Sequence, residues 1–149
     1  MSYAENTSVP VDRSQAEIRK VLGKYNATGF VFGEKPEMAL VRFEINRRKV
    51  QFILPLPILQ PTTPSWNQKK GLIYSQPKWE QEMRRRWRCL LLSIKSKLEC
   101  VETGITTFED EFMAHIMLPN GQTVGQAMTP QIAHAYEKNT MPPLLGYDG

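Results

Sequence analysis

Apolar residues recur along this chain with two periods, and the places where the period changes mark the expected elements. Ile18, Val21, Leu22 and Tyr25 are spaced for one face of a helix. The preceding SQAE has a capping-box pattern. It predicts a helix with Ser14 as N-cap and Glu17 reaching back, ending near Asn26 and before Gly29. Past Gly29 the period falls to two. GFVFG reads as a short strand, and MALVRFEI alternates, with Val41, Phe43 and Ile45 on one face and Arg42 and Glu44 on the other. VQFIL continues the alternation after a turn at Asn46-Arg47. Residues 28–54 are therefore expected to form a three-stranded antiparallel meander whose second hairpin carries Arg47, Arg48 and Lys49 at its tip.

Five prolines, Pro55, Pro57, Pro61, Pro64 and Pro77, then interrupt the pattern. They predict a long loop over 55–77 that holds Trp66, Lys69, Lys70 and Tyr74, and loops of this length in small domains are often functional. The clearest helical signal follows, over roughly 78–103. Met83, Trp87, Leu90, Leu91, Ile94, Leu98 and Val101 fall in one stripe about 100° wide, and Gly104 is the expected stop. Thr107 ahead of FEDEF predicts a short helix to about Ile116, since acids favour a helix start. LPNGQTVG reads as a turn with a short extended arm. Thr129-Pro130 reads as the N-cap and first residue of a last helix ending near Lys138. Residues 1–11 are a polar extended arm, and 140–149 an extended tail able to dock through Leu144 and Leu145. The expected fold class is α+β in a single domain over 1–149: an N-terminal helix, a three-stranded antiparallel β-meander, a long amphipathic helix and small C-terminal helices.

Composition agrees with such a domain: 149 residues, 41% of them hydrophobic, suffice for a modest core. Charge adds more. Residues 1–98 hold 18 Lys/Arg against 8 Asp/Glu, a net +10, whereas residues 99–149 hold 1 against 7, a net −6. The basic part suits a polyanion. The same asymmetry would arise if the acidic third folds back over the basic part or meets it across subunits of a homo-oligomer.

Positive charge is densest in EMRRRWRCLLL, residues 82–92. On a helical wheel Trp87 joins the apolar stripe, Arg84, Arg88 and Lys95 share the ridge beside it, and Arg86 and Lys97 border its other edge. Glu80 and Glu82 stand four residues before Arg84 and Arg86, the favourable order for helical ion pairs. Arg85 and Arg88 have no such upstream partner. Cations at a helix start oppose the helix dipole, and such breaches of local preference tend to mark function. The candidate nucleic-acid-binding residues are therefore Arg84, Arg85, Arg88 and Lys95 of this helix, Arg47, Arg48 and Lys49 of the hairpin tip, and Lys69, Lys70 and Trp66 of the loop. Residues 38–98 carry 13 basic and 3 acidic residues, the kind of excess that phosphate binding by counterion release requires. Aromatics among cations suit single strands, whose bases stack while their phosphates pair.

Other chemistry is thinly represented. FEDEFMAHI places Glu111 and His115 one helical turn apart, but metalloprotease-type spacing is absent, as are phosphate-loop, dinucleotide and nucleophile-elbow motifs. No catalytic residue, metal or cofactor is assigned, and the reading is non-enzymatic. Cys89 and Cys100 are expected as reduced, partly buried thiols: on one helix they would lie about 16 Å apart, too far for a disulfide. The opening MSYAENTSVPVDRS lacks the apolar core of a signal peptide, and the apolar runs FILPLPIL and CLLLSI are too short to span a membrane. Both point to the cytoplasm.

Helix, three strands and helix in that order resembles the double-stranded-RNA-binding domain in outline, without its Gly-Pro-x-His loop or its basic helix motif. A more specific likeness lies in the blocks YAENTSVPV, RSQAEI, RRRWRCLLLSIKSKLECVETGITTFEDEFMAHI, LPNGQTVG and MPPLL. Together they resemble a family of small, uncharacterised cytosolic proteins of tailed bacteriophages and prophages. The chain departs from it in the loop at 60–77, and at the hairpin, where the family pattern has Asn-Gly and this chain has Asn46-Arg47. The resemblance implies a phage protein acting in a bacterial cytoplasm and implies no activity. The expected function is an accessory protein binding nucleic acid, with single-stranded DNA favoured. The alternative is a host-takeover or anti-defence protein that binds an acidic host protein or a nucleotide signal.

Overall fold

The structure is a computed structural model and describes residues 4–59 and 73–141. Helix α1 (Val11–Lys24) leads into strands β1 (Thr28–Lys35), β2 (Met38–Ile45) and β3 (Arg48–Pro55). Two-residue strands β4 (Ile58–Leu59) and β5 (Ile73–Tyr74) form a small parallel pair that brackets residues 60–72. Helix α2 (Gln76–Glu102) follows, then α3 (Phe108–Phe112), one 3-10 turn (Met113–His115) and α4 (Val124–Lys138). The fold is α+β, as the periodicities predicted.

The meander is antiparallel in the order β1-β2-β3, with Val41 opposite Phe32 on one side and Phe52 on the other. Alternation puts Ala39, Val41, Phe43 and Ile45 on the inner face, where all four are buried. Helices α1, α2 and α3 cover that face. Trp87 of α2 stacks on Phe32, and Phe112 of α3 meets Phe43 and Phe52 edge-on. Six of the seven stripe residues of α2, Met83 to Leu98, are buried, and Val101 packs against the core. Gly104 stops the helix with φ 81°, a conformation that glycine adopts without strain. The N-terminal arm is tied down as well. Ala4 is buried, and the Gln81 amide donates to the carbonyls of Glu5 and Thr7 at 3.1 and 2.9 Å.

Two helix starts differ from expectation. Helix α1 begins at Val11 with Pro10 as N-cap, so Ser14 lies inside it, fully buried, its N–H bonded to the Pro10 carbonyl at 3.1 Å. The fixed φ of proline starts the turn before the serine can. Helix α4 begins at Val124. Thr123 caps it, accepting from the Gln126 N–H while the Gln126 side chain accepts from the Thr123 N–H. That reciprocal box satisfies two end donors and prevails over Thr129-Pro130, which leaves Pro130 inside the helix. The short helix at FEDEF is as expected: Thr107 accepts from the Asp110 N–H at 3.1 Å. The acidic helix then tightens into the 3-10 turn.

Helix α4 stands apart from the rest, since none of its residues is buried. Its first turn docks on the 3-10 turn at Gly125, where a Cβ would come within 2.9 Å of the Ala114 carbonyl oxygen. Among the described residues, no helix is long and apolar enough to cross a membrane.

Candidate nucleic-acid interface

Most arginines of α2 are engaged within the fold. Arg88 reaches Glu17 of α1 at 2.9 Å and is 18% exposed. Arg84 donates to the Gln81 side chain at 2.6 Å rather than pairing with Glu80, which accepts from Gln76 instead. Arg86 pairs with Glu82 at 3.1 Å, as expected, and also donates to the Pro55 carbonyl at 2.8 Å. Arg85 approaches the other Glu82 oxygen at 3.5 Å and is 38% exposed. Arg85 and Arg88, expected to lack partners, thus both have one. Lys95 is exposed. Trp66, Lys69 and Lys70 lie outside the described residues, as do Leu144 and Leu145.

Nor do the arginines at the start of α2 form one surface with the hairpin tip. The Arg86–Pro55 contact sets the start of α2 at the sheet end where Pro55 faces Met38. The Asn46-Arg47 tip lies at the opposite end, beyond the Ile45–Arg48 pair, roughly 24 Å away along an eight-residue strand.

The tip builds a site of its own. Asn46 (φ 51°) and Arg47 (φ 61°) are both left-handed, the geometry of a type I′ two-residue turn. That turn favours glycine at its second position, and a side chain there costs roughly 1–2 kcal/mol. Arg47 is therefore held at the apex against local preference. Beside it, Met117 donates its N–H to the Lys49 carbonyl at 2.8 Å, and a turn closed by Leu118 and Gln122 at 2.7 Å stands against the end of β3. Between turn and hairpin lies a groove of about 430 Å3. Arg42, Arg47, Arg48 and Lys49 line it with the single acid Glu44, and Met117, Leu118 and Pro119 supply an apolar wall. Arg42 is fixed by two hydrogen bonds donated to the side-chain amide oxygen (Oε1) of Gln51, at 3.1 and 2.6 Å. Arg48 pairs with Glu109 of α3 at 3.4 Å. Arg47 and Lys49 are exposed and make no ion pair among the described residues. The sequence marked the cations of this groove. It did not mark the apolar wall, because residues 117–119 are 68 or more positions away and carry no charge signal.

Glu109 and Glu111 of the acidic cluster make contacts within the fold. Glu111 accepts from the Thr106 hydroxyl at 3.0 Å and lies 3.7 Å from the Lys97 ammonium. His115 stacks on Phe52 with ring centroids 4.1 Å apart. Among the described residues, no group of three His, Cys, Asp or Glu is placed to hold a metal ion. Cys89 and Cys100 are free thiols, and Cys89 is exposed rather than partly buried.

Burial, and secondarily the Lys97 charge, lower the His115 pKa below its usual 6.5. The unfolded chain therefore binds the proton more readily than the folded one. Folding stability should be complete above about pH 6.5 and fall as the pH drops below it, levelling off under the folded pKa. Urea midpoints at pH 7.5 and 5 should differ less for His115→Phe, which keeps the stack without the charge, than for the wild type. An equal difference would rule this out.

Comparison with protein-family models, curated proteins and solved structures finds no match to this chain.

Proposed function

We propose that this protein binds single-stranded nucleic acid, with DNA favoured, at the hairpin-tip groove, as a phage accessory protein in the bacterial cytoplasm. The observation that carries this reading is Arg47. An arginine occupies a backbone position suited to glycine, at the apex of a basic groove and without an ion-pair partner among the described residues. Local preference is sacrificed there and the charge is kept, which is the usual mark of a functional position. Arg47 and Lys49 supply phosphate contacts. The apolar wall of Met117, Leu118 and Pro119 offers a surface for unpaired bases. A duplex would call for an unengaged basic helix or ribbon to enter its major groove, and the arginines of α2 are already held by internal partners.

Fluorescence anisotropy with labelled 20-nucleotide single and double strands, at two salt concentrations, tests this. The wild type should prefer the single strand. Arg47→Gly with Lys49→Ala should weaken binding about tenfold and flatten the salt dependence by roughly 0.7 log units per decade for each lost contact. Arg47→Gly alone should stabilise the fold by about 1 kcal/mol, because the turn relaxes. Arg85→Ala should bind within twofold of wild type. Absence of salt-dependent binding, or weakening by Arg85→Ala and not by the tip variants, would reject the proposal.

A further inference from the structure

One acid, Glu44, stands among the cations of the hairpin-tip groove. Phosphate binding gives no reason for it, since an anion there weakens the hold on a polyanion. Glu44 is exposed and makes no ion pair among the described residues. Yet Lys49 lies directly across from it on β3, a spacing of about 5 Å between Cβ atoms. Arg42 precedes Glu44 by two residues on the same outer face, roughly 7 Å along β2. Its Nε and Nη2 donate to the Oε1 of Gln51, a residue 7% exposed. That anchor fixes the plane of the guanidinium and leaves the Nη1 donors for a ligand. The sheet is irregular at the same spot. Thr28 pairs with Glu44 and Val31 with Arg42, so β1 advances three residues where β2 advances two. Gly29, within this bulge, has a left-handed φ of 63°. A bulge re-aims the side chains beside it, and bulges recur next to functional sites.

We propose that Glu44 and Arg42 select guanine in the strand that the groove binds, an inference that rests on the groove being a single-strand site. The Watson–Crick edge of guanine carries two neighbouring donors, N1–H and the 2-amino group, beside the acceptor O6. A carboxylate takes both donors in parallel with its two oxygens. An arginine donates to O6 and N7, the commonest specific contact to guanine. The pair of side chains thus matches the pair of base functions, acceptor to donors and donor to acceptors. Every other base fails on one of them. Adenine turns its amino group to the place where Arg42 needs an acceptor. Cytosine offers Glu44 a single amino donor. The one N–H of thymine lies between two carbonyls, which repel a carboxylate. Glu44 therefore acts against the wrong bases as much as for the right one. The edge it reads is closed by pairing in a duplex, so this selectivity belongs to an unpaired strand.

Fluorescence anisotropy with four labelled 20-nucleotide strands reads the outcome: all thymine, and thymine carrying isolated guanines, adenines or cytosines. The wild type should bind the guanine strand about tenfold more tightly than the other three. Glu44→Gln should erase that preference by moving two strands in opposite directions. The guanine strand weakens as the paired acceptor is lost, and the all-thymine strand tightens as an anion leaves the groove. A merely electrostatic role for Glu44 would shift all four strands the same way, and that result overturns the proposal. Arg42→Lys keeps the charge without the fork and should weaken the guanine strand far more than the all-thymine one. Glu44 is exposed, so Glu44→Gln spares the fold, and unchanged circular dichroism verifies it. Equal, salt-dependent binding of all four strands overturns the guanine assignment and leaves the groove as a single-strand site. Binding of none of them removes both. Guanosine monophosphate is the competitor that separates a strand from a free nucleotide. It should displace the guanine strand only at concentrations at least a hundredfold above those of the unlabelled strand, because it lacks the neighbouring phosphates. Displacement at equal concentration overturns the assignment to a strand.

Discussion

Trp87→Ala should destabilise the protein by about 3–5 kcal/mol, the usual cost of deleting a large aromatic from a packed core. The indole is 1% exposed and stacks on Phe32 with centroids 6.4 Å apart. Phe32 in turn lies under the Arg19 guanidinium at 4.5 Å. Removing the indole therefore unseats β1 and α1 together from α2. Trp87→Phe separates packing from hydrogen bonding. The indole N–H is buried with no acceptor among the described residues, and an unpaired buried donor costs roughly 1–3 kcal/mol. Phenylalanine loses some contact area but also removes that cost. It should fall within about 1 kcal/mol of wild type, by the opposing sizes of the two terms. Urea unfolding followed by circular dichroism measures both. Equal midpoints for the two variants would mean that the donor is satisfied.

Ser14→Ala should have the opposite sign and stabilise the fold. The Ser14 side chain is fully buried inside α1, and its hydroxyl has no partner among the described residues. Alanine removes that unpaired group and has the better helix propensity, together worth about 1–2 kcal/mol. Thermal melting should rise by roughly 3–8 °C for a chain of this size. A capping serine would give the reverse, a loss of about 0.5–2 kcal/mol on truncation. One melting curve thus decides whether α1 starts at Pro10 or at Ser14.

The candidate site was only half legible. Arg47, Arg48 and Lys49 could be placed at a hairpin tip because alternation on both sides of Asn46 leaves no other place for a turn. That the turn keeps its two-residue form with arginine in the glycine position is a property of the paired strands: eight residues of β3 in register with β2 hold the backbone there. For the arginines of α2, helical spacing found the Glu82–Arg86 pair and missed the rest. Arg88 is held by Glu17, 71 residues away, and no local pattern contains that contact.

Hydrophobic period alone therefore determined the meander, the buried stripe of α2 and the order of elements. In each case the choice between faces is made within a few residues and involves several kcal/mol of burial. Tertiary structure decided what depends on small differences or distant partners. It chose Pro10 over Ser14 and Thr123 over Thr129 as helix starts, where competing caps differ by about 1 kcal/mol. It withdrew Arg84, Arg86 and Arg88 into internal contacts and set them at the sheet end away from the tip. It also left an apolar stripe on α4 facing outward, which a period count can only read as a core face. Periodicity reports that a face must be covered, and only the packed chain reveals that α4 lacks a cover within its own described fold.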